Sequence, residues 1–306
     1  MAISPTRLLA GLVLLSVVFG LGLCAAVLAV GLRLSAPAVI GPPSSGWPGA
    51  EAVTIPSASG SILQGWWFPS AVSAGGTIIL MHGVRANRLQ MVARARVLHE
   101  HDFSVLLFDF QAHGESTGRR ITFGKLESLD AAAAVRLVQD RRPNDRIGVI
   151  GVSLGGAAAL LGPERLAVDA IVLESVYPDI DAALSNRLRV NLGRIAGPLL
   201  TPLLTPTFKL LLPPIIGAAP SELRPIDNIR KVNTPVLIAS GTADVYTPLD
   251  EAKALFDQAN EPKQFWAVNG AGHVDLESYN SAQYWSVVLP FLSDYLKHPA
   301  SGTPPA

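Results

Sequence analysis

The run Ile147–Gly156, IGVIGVSLGG, sets a serine between glycines directly after an apolar stretch. A buried strand has no use for a polar residue there, and a helix start would not choose so many glycines. The physical solution is a chain reversal so tight that neighbouring side chains would collide. Gly151-Val-Ser153-Leu-Gly155 has the pattern G-x-S-x-G, which acquires meaning when a strand precedes it and a helix follows. The turn lifts the Ser153 hydroxyl above the strand end. The N-terminus of the next helix brings unpaired backbone N–H groups to the same place.

The surrounding pattern supplies that context. AVTIP and ILQGWWF form an antiparallel opening pair. Short apolar runs at Gly76–Gly83, Ser104–Phe110, Ile147–Val152, Asp169–Ser175, Pro235–Gly241 and Lys263–Gly270 read as buried strands. Helical segments fall between them: from Asn87 to about His101, Gly124 to Arg141, Leu154 to Pro163 and, last, Tyr279 to Leu296. Buried strands alternating with helices imply an α/β fold, a mostly parallel sheet covered on both faces. Its chemistry then gathers at the carboxyl ends of the strands. Residues 176–230 break this rhythm. The strongly apolar GPLLTPLLTPTFKLLLPPIIGAAP, Gly197–Pro220, is punctuated by prolines, too broken for a transmembrane helix, and reads as an inserted cap of short helices. Three roles stay open for it: ordinary packing, an apolar lid over a pocket, or a patch touching a membrane.

The amino terminus is of another kind. Leu8–Leu32 is 25 residues without a charge, about 37 Å as a helix, enough to cross a bilayer with some tilt. A cleaved signal peptide has an apolar core of about 7–15 residues, so residues 1–34 read as an uncleaved membrane anchor. Cleavage near Ala36–Ala38, or lipidation of Cys24, are the alternatives. The amino group and Arg7 lie on one side of the run and Arg33 on the other, which favours a cytoplasmic N-terminus and an exported body. Residues 35–50 are rich in Pro, Gly and Ser and read as a linker, 51–298 as the globular domain, and 299–306 as a disordered tail.

Composition narrows the function classes. Lys plus Arg and Asp plus Glu number 24 each, so there is none of the basic excess of a nucleic-acid binder. The single cysteine, Cys24, excludes an internal disulfide and thiolate metal sites. A serine nucleophile needs a base. Of the six histidines, His273 follows the last strand in NGAGHVDLES. His82 and His113 read as loop supports, His99 and His101 as a solvated helix end, and His298 as tail. The base needs an acid to fix its tautomer. Asp244, in SGTADVYTP, follows the strand Pro235–Gly241; Glu174 is the rival, and Asp275 is too near His273 in sequence. An oxyanion would face two N–H donors: Leu154, immediately after the serine, and Val84, where Gly83 lets the chain turn inward.

MHGVRANR, FDFQAHGESTG, GVSLGG, NTPVLIASGTADVYTP and GAGH, in this order, resemble the α/β-hydrolase superfamily. Within it they are similar to the branch of Bem46-like proteins, membrane-tethered ABHD hydrolases and bacterial serine-aminopeptidase-like relatives. The resemblance spans roughly Ala52 to Lys297. It implies the α/β-hydrolase fold and a cofactor-free, metal-free serine hydrolase mechanism in which Ser153, His273 and Asp244 act together, with Val84 and Leu154 as oxyanion donors and Asp109 and Gly114 as structural residues. Gln111 and Ala112 depart from the usual arginine and glycine, and Ser240 from the usual histidine. The expected substrate is a small-molecule, lipid or acyl ester or thioester. The alternatives are a short peptide or a non-catalytic binding role.

Overall fold

In the computed structural model, residues 5–39, 49–71, 75–273 and 276–297 are described. The expected tail, His298 and Asp275 lie outside them, as does most of the expected linker. In chain order the elements are α1 (Pro5–Ser35), β1 (Ala38–Val39), β2 (Glu51–Pro56), β3 (Ile62–Phe68), β4 (Thr77–Met81), α2 (Val92–Glu100), β5 (Ser104–Phe108), β6 (His113–Gly114), α3 (Lys125–Arg141), β7 (Ile147–Val152), α4 (Leu154–Leu160) and β8 (Ala170–Glu174). There follow α5 (Ile180–Ile216), α6 (Pro225–Ile229), β9 (Val236–Gly241), α7 (Leu249–Gln258), β10 (Lys263–Val268), α8 (Leu276–Tyr279) and α9 (Ser281–Leu296). Asn87 does cap, as its side chain accepts from the Leu89 N–H at 2.9 Å, but it opens a single 3-10 turn before α2.

Eight strands form one sheet in the order β10-β9-β8-β7-β4-β5-β3-β2. β2 and β3 form the antiparallel pair expected at the start, and β3 also runs antiparallel to β5; the remaining neighbours are parallel. The central strands are apolar throughout because both faces are covered. Ile79 and Met81 face one apolar layer with α3, α4 and α7, while Ile78 and Leu80 face another with α2 and α9. From β4 the chain first adds β5 on one side, then crosses to place β7 on the other. The carboxyl ends of β4 and β7 therefore flank the point where connections diverge, the place where open α/β sheets form a crevice.

Two expectations need correction. The linker does not begin free at residue 35. Ile121 N–H donates to Ser35 O at 2.7 Å, Ala38 N–H donates to Ala112 O at 2.8 Å, and β1 pairs in parallel with β6. These backbone groups find partners because the end of α1 lies against the domain. The cap is not a series of short helices either. α5 is a helical hairpin bent once, at Gly193 (φ 77°, ψ −178°), a left-handed φ that glycine adopts at no steric cost. Its arms, 180–192 and 194–216, are joined by Lys209–Asp181 at 2.7 Å and Ser185–Thr205 at 3.2 Å. The arms also approach closely at Gly197, where a Cβ would lie 3.0 Å from Arg189 Cα. Five prolines sit inside the second arm without breaking it, and all five are exposed. A proline removes the bond to the carbonyl four residues back. The 198, 202, 206 spacing confines those losses largely to one outward stripe and leaves the inward face helical.

Candidate active site

The turn at Ser153 answers the question posed by its glycines. β7 ends at Val152 and α4 begins at Leu154, leaving Ser153 alone to reverse the chain at φ 49°, ψ −105°. A Cβ on Gly151 would lie 2.6 Å from Gly156 N, one on Gly155 would strike the Met81 carbonyl, and one on Gly156 would strike the Val176 side chain. The glycines are the contact surface through which α4 rests on the sheet. Backbone strain of this kind costs about 1–3 kcal/mol and collects at functional sites. The Ser153 N–H donates to Glu174 O at 2.8 Å, tying the turn to the end of β8.

His273 and Asp244 meet at the same rim. His273 Nδ1 lies 2.8 Å from Asp244 Oδ2, with the imidazole partly exposed and the carboxylate buried. Asp244 accepts three further hydrogen bonds: from Tyr246 N–H at 2.8 Å, Thr247 N–H at 2.9 Å and the Thr247 hydroxyl at 2.6 Å. Burial pushes its carboxyl up, but the hydrogen bond and charge of His273, with the Thr247 donors, outweigh it and hold the group below the ordinary carboxylate range. An ionised Asp244 accepting from Nδ1–H leaves Nε2 with its lone pair, the tautomer a general base needs.

Ser153 and His273 line one cavity of about 430 Å³, together with Val84 and Leu154. Among the described residues no hydrogen bond joins the Ser153 hydroxyl to the imidazole; such contacts are commonly long in ligand-free sites. Neither the Val84 nor the Leu154 N–H donates to another described residue. The Val84 loop is fixed from behind. Arg85 N–H donates to His113 Nε2 at 3.1 Å, and His113 Nδ1 in turn bonds Gln111 O at 2.9 Å. His82 bonds Gly83 O at 2.8 Å and accepts from Phe110 N–H at 3.1 Å. Burial lowers both histidines, His82 to about 3, so they stay neutral and act as two-ended clips between the loops after β4 and β5.

Glu174, the rival acid, is committed elsewhere. It is fully buried, with Arg94 Nη2 at 2.7 Å and the Tyr284 hydroxyl at 2.6 Å. Asp109 takes the Arg88 N–H at 2.7 Å and the Glu115 N–H at 2.9 Å, and a Cβ on Gly114 would collide with its carboxylate. Ala112, where glycine is usual, holds a left-handed φ of 58°. Gln111 bridges Arg120 O at 2.6 Å and Glu127 at 2.8 Å.

Of the apolar wall, only a contribution from the 176–230 segment was open to a reading of the sequence, as one of its three possible roles. Phe123, Tyr177, Ile180, Leu184 and Leu212 line the cavity, and so does Leu34 from the end of α1. Two arginines, Arg85 and Arg187, also line it; among the described residues no aspartate or glutamate does. The Tyr246 ring meets His273 edge-on at 5.5 Å. Thr247 had a local signal: it stands three residues after Asp244, the spacing at which an aspartate takes up the N–H groups of its own turn.

The family model for the alpha/beta hydrolase family matches residues 78–285, more than half of the chain. The chain belongs to the alpha/beta hydrolase family. It is 30% identical over 254 residues to Rv2307c of Mycobacterium tuberculosis (strain ATCC 25618 / H37Rv), covering 82% of each. It is 29% identical over 220 residues to human Protein ABHD12B, covering 67% of this chain and 57% of that protein. In fold it is similar to the Pyrococcus furiosus esterase Pf2001, with a TM-score of 0.66 at 24% identity, covering 84% of this chain and 98% of the esterase. The esterase EaEST of Exiguobacterium antarcticum aligns with a TM-score of 0.58 at 13% identity, covering 79% and 100%. These two likenesses show the fold.

Proposed function

We propose that this hydrolase is membrane-anchored and cleaves a carboxylic ester or thioester through an acyl-enzyme. Ser153 Oγ attacks the carbonyl carbon as His273 Nε2 takes its proton. The carbonyl oxygen becomes an oxyanion facing the Val84 and Leu154 N–H groups. Collapse breaks the bond to the alcohol or thiol, which leaves with the proton from His273. Water repeats the sequence on the acyl-enzyme, releasing the acid and restoring Ser153. Asp244 holds the imidazole and stabilises its cation. The observation that carries the reading is the Asp244–His273 bond at 2.8 Å, on a ring that shares one cavity with the strained Ser153.

The cavity favours acyl substrates over short peptides. Gripping a free amino terminus takes a carboxylate, whereas the described lining offers Arg85 and Arg187 among apolar side chains. The 25 uncharged residues of Leu8–Leu32 support anchoring, and the Arg7 and Arg33 placement supports an exported body. Fluorophosphonate labelling of the full chain, beside p-nitrophenyl esters and amino-acid arylamides, tests the proposal. Labelling and ester cleavage are expected in wild type and absent in Ser153→Ala. Equal labelling of the two removes Ser153 from its role, and a preference for arylamides overturns the substrate class.

A further inference from the structure

The second arm of α5 turns an apolar, basic face away from the domain, directly beside α1. Ile195, Leu199 and Leu210 are 82%, 72% and 74% exposed, and Leu203 and the five prolines are exposed with them. From Ala182 to Ser221 there are four basic residues, Arg187, Arg189, Arg194 and Lys209, and no acidic one. Lys209 is paired with Asp181 and Arg187 lines the cavity, so the outward charge of this stretch is carried by the other two arginines. Arg189 and Arg194 lie exposed at the bend. At the other end of the arm, Arg120 donates to Ile215 O at 3.1 Å, Arg85 donates to Ala36 O at 3.2 Å, and Arg33 closes the last turn of α1. The apolar face is thus flanked by cations at both ends.

We propose that this arm lies in the surface of an anionic lipid bilayer beside α1, so that the catalytic cavity is walled by the same elements that touch lipid. α1 and α5 pack against each other: a Cβ on Gly31 would lie 2.5 Å from Ile215 Cδ1, and Val27 and Ser35 are buried on the same side of α1. The carboxyl-terminal turns of α1, where an anchor would leave the bilayer, therefore lie against the end of the arm. Taken as one helix, α5 (Ile180–Ile216) is long and apolar enough to span a membrane by length and composition alone. The ties of the second arm to the first, Lys209–Asp181 and Ser185–Thr205, hold it against the domain instead. The first arm is held in turn by Asn186, which donates to Glu251 at 2.6 Å. A helix fixed along the domain, apolar outward and basic at its ends, has the character of an interfacial element, and anionic headgroups match its charge. Leu212 of this arm and Leu34 of α1 line the cavity of Ser153, so an acyl chain entering past them passes from lipid to the site without crossing water.

The docking rests on reading α1 as an anchor, and the two are separable by experiment. Full-length protein in a Cys24→Ser background is reconstituted into phosphatidylcholine vesicles with or without phosphatidylglycerol. An environment-sensitive fluorophore is attached at Leu199→Cys, Leu203→Cys or, as control, the exposed Lys253→Cys of α7. Co-flotation with vesicles reports the anchor; fluorescence reports the cap. Labels at 199 and 203 are expected to shift to shorter wavelength and to be quenched by spin-labelled lipid chains, while the label at 253 is not. Replacing Arg189 and Arg194 by Gln should lower the ratio of docked to undocked cap in phosphatidylglycerol vesicles by about fivefold per arginine. Protein that floats while its 199 and 203 labels behave like 253 overturns the inference and leaves the anchor intact. Protection that vanishes as lipid dilutes the protein assigns the face to a second copy and overturns it equally.

Discussion

Replacing Ser153 by glycine is expected to stabilise the protein relative to replacing it by alanine, even though both changes remove the hydroxyl. The reason lies in the backbone. Ser153 sits at φ 49°, ψ −105°, where any Cβ is strained by about 1–3 kcal/mol. Alanine keeps the Cβ and the strain. Glycine removes both, and costs about 0.5–1 kcal/mol through the extra freedom of its unfolded chain. The hydroxyl cancels from the comparison, since both variants lack it and it has no described hydrogen-bond partner. The difference is a net gain of about 1 kcal/mol, or a melting point about 2–4 °C higher for a domain of this size. Thermal unfolding of the two full-length variants in the same detergent, followed by intrinsic fluorescence, measures it. Without strain, glycine's entropy alone decides, and Ser153→Gly melts below Ser153→Ala. That order would refute the claim that the turn stores energy at Ser153.

Asp244→Asn should lower kcat for ester cleavage by about 10³–10⁴-fold with KM little changed, because the amide presents the wrong partner to Nδ1; steady-state kinetics check it, and a loss confined to KM contradicts the orienting role. Glu174→Gln strips the buried Arg94 of its counter-charge, a loss of about 3–5 kcal/mol. Denaturant unfolding should show it, with Arg94→Met in the Glu174→Leu background recovering part, and an unchanged midpoint in Glu174→Gln would oppose this account. Burial raises the Asp130 carboxyl to about 7 against the Ser57, Ser59 and Gln111 donors that favour its anion. The folded state then keeps a proton that the unfolded chain, at about 3.9, releases. This contribution is complete below about pH 4 and is lost as pH rises through about 7. Unfolding midpoints between pH 5 and 8 should fall less steeply in Asp130→Asn than in wild type, and parallel slopes would sink the assignment.

What was legible in the sequence follows from the range of the interactions involved. The strands at Thr77–Met81, Ile147–Val152 and Val236–Gly241 announce themselves because burial on both faces forces continuous apolar runs. Ser153, Asp244 and His273 were readable as candidates because each stands just beyond such a run, and the sheet carries those ends to one rim. The support of the Val84 loop was half readable. His82 and His113 were expected as loop supports, but their pairing across 28 residues of sequence, each bonding a backbone N–H and a carbonyl, appears only in three dimensions. Elements without a periodic signal, such as the five-residue α6 and the separation of α8 from α9, were not expected at all.

The cap was misread for a reason that bears on function. Prolines usually end helices because the ring removes an N–H donor, clashes with the carbonyl four residues back and disfavours helical geometry in the residue before it. In 194–216 they recur on an outward stripe, so the inward side stays regular and packs through Phe208, Leu212 and Ile215. An outward stripe of proline and leucine is a poor surface for water and a tolerable one for lipid, where the helix has no competing solvent to unwind it. The same circumstance explains why the chain near residue 35 is bonded down rather than loose. Leu34 and Leu212, 178 residues apart, close one wall of the cavity. A wall built from α1 and a cap keeps its shape only if both are held against the body, as the Ser35, Ala36, Ala38 and Ile215 backbone bonds do. The helix α1, the cap and the candidate site thus share a single packing problem.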